Sequence, residues 1–333
     1  MTRLPVILIL ALAFALPASA GEEAELIWKD GKWAPLPAPA KGTPEGEAAI
    51  VRQEIDAGRH DQAVKAAKAF LKNYSLHPLR EDVLAMAGDA QMRLGNYWKA
   101  HLQYKQQLGE FPKGALSERA LEREMEIAKA FLDGRKRTFA GVLKIGAADD
   151  GVEILESVAV HAPISERAEI ALITIGDYYF DNRRWEEAAA QYDGFISLYP
   201  KSPRGPYARL RAAESFRRAY RGGGYDETPL IEAETRYKAF RREHPAAAAE
   251  AKVDDILRQI HSDRARKQFT VGRFYLRIGR KEAARYYFAL VTTEFSDTVW
   301  AEEARQELAN LPAEPAEPAG PAEPKPQAEA PAS

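Results

Sequence analysis

The sequence predicts an all-α solenoid of about six helix pairs closed by a capping helix, and three observations predict it. First, GDAQMRLGNYWKAHLQYKQQLGEFP (Gly88 to Pro112) and GDYYFDNRRWEEAAAQYDGFISLYP (Gly176 to Pro200) align at a constant offset of 88, matching Gly88 with Gly176, Ala100 with Ala188 and Tyr104 with Tyr192. A third copy, Gly272 to Ser296, keeps Gly272, Ala284, Phe288 and Phe295. Second, small residues at matched places let two helices approach, an aromatic fills the gap, and an aromatic-Pro step stops the second helix. Third, that step recurs. Its markers Ser75, Pro112, Pro163, Pro200, Pro245 and Ser296 are spaced 37, 51, 37, 45 and 51 residues apart. A basal unit of 37 with insertions of 14, 8 and 14 is a helix-turn-helix repeat of the tetratricopeptide kind.

MTRLPVILILALAFALPASA has one basic residue, an apolar run from Leu4 to Leu16 and Ala18-Ser19-Ala20 as a small-x-small site, so residues 1–20 read as a secretory signal peptide. The run is too short to span a bilayer comfortably. The mature chain is then expected to start at Gly21. With no cysteine in the sequence, neither a disulfide framework nor acylation of an N-terminal cysteine is expected. Residues 21–44 hold Trp28 and Trp33 around Lys29-Asp30-Gly31-Lys32; Asp-Gly between apolar residues is a hairpin signal, set against an unstructured linker.

Residues 45–311 carry the helical pattern. The first insertion is expected near Arg135 to Asp150, the second includes Arg221 to Pro229, and the third lengthens a helix around Lys252 to Arg266. Val299 to Leu311 is the polar capping helix that a repeat array needs at its end. From Pro312, residues 312–333 carry Pro at 312, 315, 318, 321 and 324, a spacing that favours an extended polyproline II tail without a core.

Composition excludes several function classes. The formal net charge of -2 offers no nucleic-acid footprint. His60, His77, His101, His161, His244 and His261 never fall into a ligand-spaced cluster, and no metal or other cofactor is expected. There is no GxSxG elbow, Walker loop or GxGxxG. Gly222-Gly223-Gly224 sits between helices with no strand before it, so it reads as a loop and not as a phosphate cradle. Glu186-Glu187 and Asp149-Asp150 are sequence neighbours that diverge on a helix and make a poor acid/base pair. The chain is therefore expected to bind and not to catalyse.

A binding surface can be placed by period. With Gly88, Gly176 and Gly272 as close-contact positions, residues one, four and five later and three earlier are expected to face a groove. These are Ala85, Asp89, Met92 and Arg93; Ile173, Asp177, Phe180 and Asp181; and Phe269, Arg273, Leu276 and Arg277, with Arg266 one turn before. Phe180 and Phe269 would anchor a peptide and the arginines would pair its carboxylates. The competing reading makes the arginines a solvated face and the phenylalanines core.

RKQFTVGRFYLRIGRKEAARYYFALVTTEFSDTVWAEEA (Arg266 to Ala304) resembles the last repeat of BamD-like outer-membrane assembly proteins, and GDYYFDNRRWEEAAAQYDGFISLYPKSP and YRGGGYDETPLIEA resemble forms of that family with insertions. The resemblance covers roughly residues 45–310. It implies a periplasmic location at the inner face of the outer membrane and a scaffold that helps fold β-barrel proteins into that membrane. Unfolded barrel protein would meet the N-terminal repeats, around Asp89, Met92 and Arg93. The outer-membrane β-barrel insertase would meet the C-terminal ones, around Arg273 and Arg277. Family members are typically lipoproteins, whereas here Gly21 follows Ala20 in a chain without cysteine, so membrane association through partners is expected. A coordinator of cell-wall or division processes is the alternative, and an enzyme with a site assembled across repeats is a third reading.

Overall fold

The computed structural model describes residues 26–29, 32–35, 40–139 and 143–312. The leader and the proline-repeat tail lie outside the described residues. Two units are distinct, residues Met1–Gly95 and Asn96–Ser333. The first holds an antiparallel hairpin of β1 (Leu26–Lys29) and β2 (Lys32–Pro35), with Trp28 across from Trp33, then α1 (Pro44–Asp56), α2 (His60–Asn73) and α3 (Arg80–Arg93). Thr43 starts α1: its hydroxyl accepts from the Gly46 amide at 3.1 Å, and Pro44 fills a first-turn position that lacks a partner for its N–H in any helix. Ala48, Val51, Ala67, Phe70, Val83 and Ala87 form the unit's core.

The second unit holds α4 (Tyr97–Glu110), α5 (Ser117–Leu132), β3 (Arg137–Phe139), β4 (Leu143–Ile145), α6 (Ala148–His161), α7 (Glu166–Asp181), α8 (Trp185–Leu198), α9 (Gly205–Ala219), α10 (Thr228–Glu243), α11 (Pro245–Glu250), α12 (Val253–Arg277), α13 (Lys281–Glu294) and α14 (Val299–Asn310). Within the first unit α1 pairs with α2, and within the second unit α5 pairs with α6, α7 with α8, α9 with α10 and α12 with α13, with α14 as a final cap and the short α11 before the last pair. This is the all-α tetratricopeptide-type array.

The second helix of each of these pairs, and α4, carries three buried positions at the same spacing. The positions are Ala63, Ala67 and Phe70; Ala100, Tyr104 and Gln107; Gly151, Leu155 and Val158; Ala188, Tyr192 and Phe195; Ala233, Tyr237 and Phe240; and Ala284, Phe288 and Val291. Residues four and then three apart share one helix face. The first, small residue admits the neighbouring helix, and the larger ones, two in every triad but the first, fill the space between. From triad to triad the step is 37, 51, 37, 45 and 51, the same series as the aromatic-Pro markers.

Each insertion lands between or ahead of these faces. The first is the antiparallel β3–β4 hairpin between α5 and α6, a departure from helix. The second is the loop from Tyr220 to Glu227, between α9 and α10. The third supplies α11 and the first turns of the 25-residue α12, separated by Lys252 in a left-handed conformation at φ 53°. Turns within pairs repeat as well: Gly58, Gly95 and Gly279 have positive φ, and Arg183 adopts φ 60° at the matching place before α8.

Candidate binding groove on the last repeat

Gly272 sets the orientation of α12. A Cβ built on it would lie 2.7 Å from the Phe288 ring of α13, so only hydrogen fits on the face that meets its partner helix. At about 100° per residue, Lys267, Thr270, Phe274 and Arg277 lie within about 40° of the opposite direction, with Arg273 beside them. These residues line an open groove of about 650 Å³, closed on one side by Gly223 and Gly224 and on the other by Glu307 of α14.

The glycine loop is held against the helix. Lys267 Nζ donates to the Tyr225 carbonyl at 2.5 Å, and Gln268 Nε2 donates to Glu227 at 2.9 Å. Glycine is needed at Gly222, whose φ is +113°. Gly223 lies close over Thr270, with 3.7 Å from a built Cβ to the threonine hydroxyl oxygen. Across the groove, Arg273 Nη1 donates to Glu307 at 2.8 Å. Arg277 forms no ion pair among the described residues and lies 5.6 Å from the Phe274 ring centre. Phe274 is 46% exposed at the groove surface. Three cations, one carboxylate and an exposed ring make a surface suited to an acidic peptide with an apolar side chain.

Arg273, Leu276 and Arg277 of the periodic reading line this groove, Leu276 also packing against the last core, while Lys267, Thr270, Phe274 and Glu307 line it and were not part of that reading. That reading centred the stripe about a quarter turn from the glycine, whereas the open face lies half a turn away. Phe269 is a correction: it packs on Phe288 and Trp300 in the core with ring centres 5.5 and 5.6 Å apart. Phe180 is a second, buried with Ala188, Tyr192 and Phe195, with the Arg211 guanidinium 3.5 Å from its ring centre. Arg266 is exposed and bridges to Asp263 at 3.1 Å on its own helix.

Asp177 has a structural engagement that sequence did not disclose. Its Oδ1 accepts from the hydroxyls of Tyr192 and Tyr207, each at 2.6 Å, and Arg211 approaches it to 3.5 Å. Burial and the bonded carboxylate push the Tyr207 hydroxyl up to about 12 and Tyr192 higher still. Asp181 is exposed and lies 3.7 Å from Arg211, while Ile173 packs beside the same core. In the first unit, Ala85 is buried, Asp89 and Met92 are half-buried and Arg93 is exposed on α3. Among the described residues no group of acidic and histidine side chains could hold a metal ion, and no helix is long and apolar enough to cross a membrane.

Helix pairs with matched small and aromatic positions, ending in a charged open groove, define a helical repeat array. Residues 141–311, just over half of the chain, match the YfiO family, described as outer membrane lipoprotein, and the chain belongs to that family. The outer membrane protein assembly factor BamD of Caulobacter vibrioides is 26% identical over 171 residues, which cover 50% of this chain and 55% of that protein. The chain therefore spans about half the length of that curated relative. Two solved structures overlap it: a tetratricopeptide repeat protein from Parabacteroides merdae (16% identity, 80% of this chain and 98% of that one, TM-score 0.33) and TTC0263 from Thermus thermophilus (16%, 66% and 98%, TM-score 0.29). The fold assignment rests on the six buried triads and not on these two likenesses.

Proposed function

We propose that the chain is a non-catalytic periplasmic scaffold that assists assembly of β-barrel proteins into the outer membrane, at the inner face of that membrane. Membership of the YfiO family and similarity to an outer membrane protein assembly factor support this reading. The observation that carries it at residue level is the α12 groove, where Lys267, Arg273 and Arg277 surround exposed Phe274. The outer-membrane β-barrel insertase docks there through carboxylates that the guanidinium forks pair and an apolar side chain that meets Phe274. The α3 surface bearing Asp89, Met92 and Arg93 receives unfolded outer-membrane proteins.

The test is a crosslinked pull-down from envelope extracts, comparing the native protein with the double variant Arg273→Glu, Arg277→Glu. Both side chains are exposed, so losing the Arg273–Glu307 pair costs the fold under about 1 kcal/mol. Recovery of the insertase should drop about tenfold or more. Equal recovery from both proteins would remove the groove from the interface. Cell-wall or division proteins in place of the insertase would overturn the assembly role.

A further inference from the structure

An aromatic row next to this groove is not absorbed by the docking reading. Phe274 meets Tyr275 edge-on at 5.5 Å, Tyr275 stacks on Tyr287 at 5.5 Å and 9°, and Tyr287 meets Tyr286 edge-on at 5.3 Å. The row crosses from α12 to α13, and its two ends are open, with Phe274 46% and Tyr286 64% exposed. Core packing does not call for an aromatic side chain as exposed as Tyr286.

The chain leaves the fold beside this row. Leu311 is buried in the last core, and Arg285, next to Tyr286, donates from Nη2 to the Pro312 carbonyl. From Pro312 the sequence reads PAEPAEPAGPAEPKP. In a three-residue turn the prolines share one edge and Glu314, Glu317 and Glu323 share another, with one turn advancing about 9 Å. Lys267 and Arg273 are six residues apart on α12, also about 9 Å. Exposed aromatic rings are the surface on which proline-rich segments dock, and guanidinium groups pair with carboxylates. Residues 313–333 carry four glutamates against one lysine, opposite in sign to the groove.

We infer that the acidic proline-repeat tail, residues 313–333, binds back onto the α12–α13 aromatic row and the Lys267–Arg273–Arg277 groove of its own chain, so that a partner must displace it. The inference rests on the groove being a peptide-binding surface and not on which protein binds there. Tethering makes a weak contact sufficient, because a short linker supplies the tail at about millimolar effective concentration.

The absence of cysteine makes a direct test possible. Thr270→Cys in the groove and Ala319→Cys in the tail are combined in the otherwise full-length mature protein, and disulfide formation is tracked under mild oxidation. Gln306→Cys, at an exposed position on α14, with Ala319→Cys serves as the collision control. The groove pair should close within the monomer about tenfold faster than the control, and changing Glu314, Glu317 and Glu323 to Lys should erase that advantage. Equal rates for the two pairs, or an advantage that survives the charge reversal, would overturn the inference. A groove crosslink found only between two chains would overturn it as well, in favour of tail exchange between copies. None of these results bears on which envelope protein the native groove recovers, so the docking reading stands or falls separately.

Discussion

Gly176 and Gly272 do the same task in two pairs, leaving room for a fully buried ring on the facing helix. A Cβ at Gly176 would lie 2.6 Å from Tyr192, and that ring is 0% exposed with its hydroxyl bonded to Asp177, so it cannot swing aside. Alanine gains about 1 kcal/mol of helix propensity, but forced overpacking costs about 1–3 kcal/mol. Gly176→Ala should therefore lower the urea unfolding midpoint, whereas a gain in stability would show that the ring yields. Glu214 gives a pH prediction. Burial pushes its carboxyl up, but hydrogen bonds from Arg217, Tyr237 and Arg218 outweigh it and hold the group down at about 2 against an ordinary 4.5. Because the folded value is depressed, its stabilisation is complete above pH 4.5 and is lost as pH falls toward 2. Glu214→Gln should flatten the fall in unfolding midpoint across that window, and an unchanged slope would contradict this account. Neither tyrosine–carboxylate pair was legible in the sequence, because their partners lie 15 and 23 residues apart and on different helices.

At the scale of helices, the spacing of the buried positions was legible to the residue. The triad repeats in chemistry as well as spacing, since a helix face that meets a neighbour must alternate small and large at fixed steps. Gln107 breaks the pattern. It occupies the position held by Phe70, Val158, Phe195, Phe240 and Val291, is 0% exposed, and its amide has no hydrogen-bond partner among the described residues. Leaving buried polar atoms unpaired costs about 1–3 kcal/mol. Gln107→Leu is expected to raise the unfolding midpoint, and a drop would mean that the amide is needed in place. The hairpin β3–β4 was not legible, because strands of three residues carry too few positions for an alternating pattern to register. Successive pairs in the second unit are also tied by charge: Arg204 to Glu166 at 2.8 Å, Arg236 to Asp193 at 2.6 Å and Arg264 to Glu234 at 2.7 Å. A solvated charged face and a staple between helices look alike in sequence, so the arginine and acidic positions were the least readable part of the array.

Across the molecule, the repeat plan explains why the charged groove forms in the last pair. Inside the array the position after the glycine is taken by Asp177, bound to Tyr192. In the last pair the matching residues are Arg273 and Phe288, which has no hydroxyl to bind, and Arg273 turns instead to Glu307 at the groove. One substitution in each helix thus converts an internal hydrogen bond into a surface cation. The periodic reading named Arg273 and Arg277, which line the groove, but missed the direction of the open face, since it took the glycine as a neighbour of the groove when the glycine points away from it. The most direct measurement is photo-crosslinking in living cells from p-benzoylphenylalanine placed at Thr270, with Ala190 on the exposed face of α8 as the reference position. The probe at Thr270 should capture the outer-membrane β-barrel insertase, and the probe at Ala190 should not. Capture of the insertase from Ala190 and not from Thr270 would contradict the assignment of the last-repeat groove as the docking face.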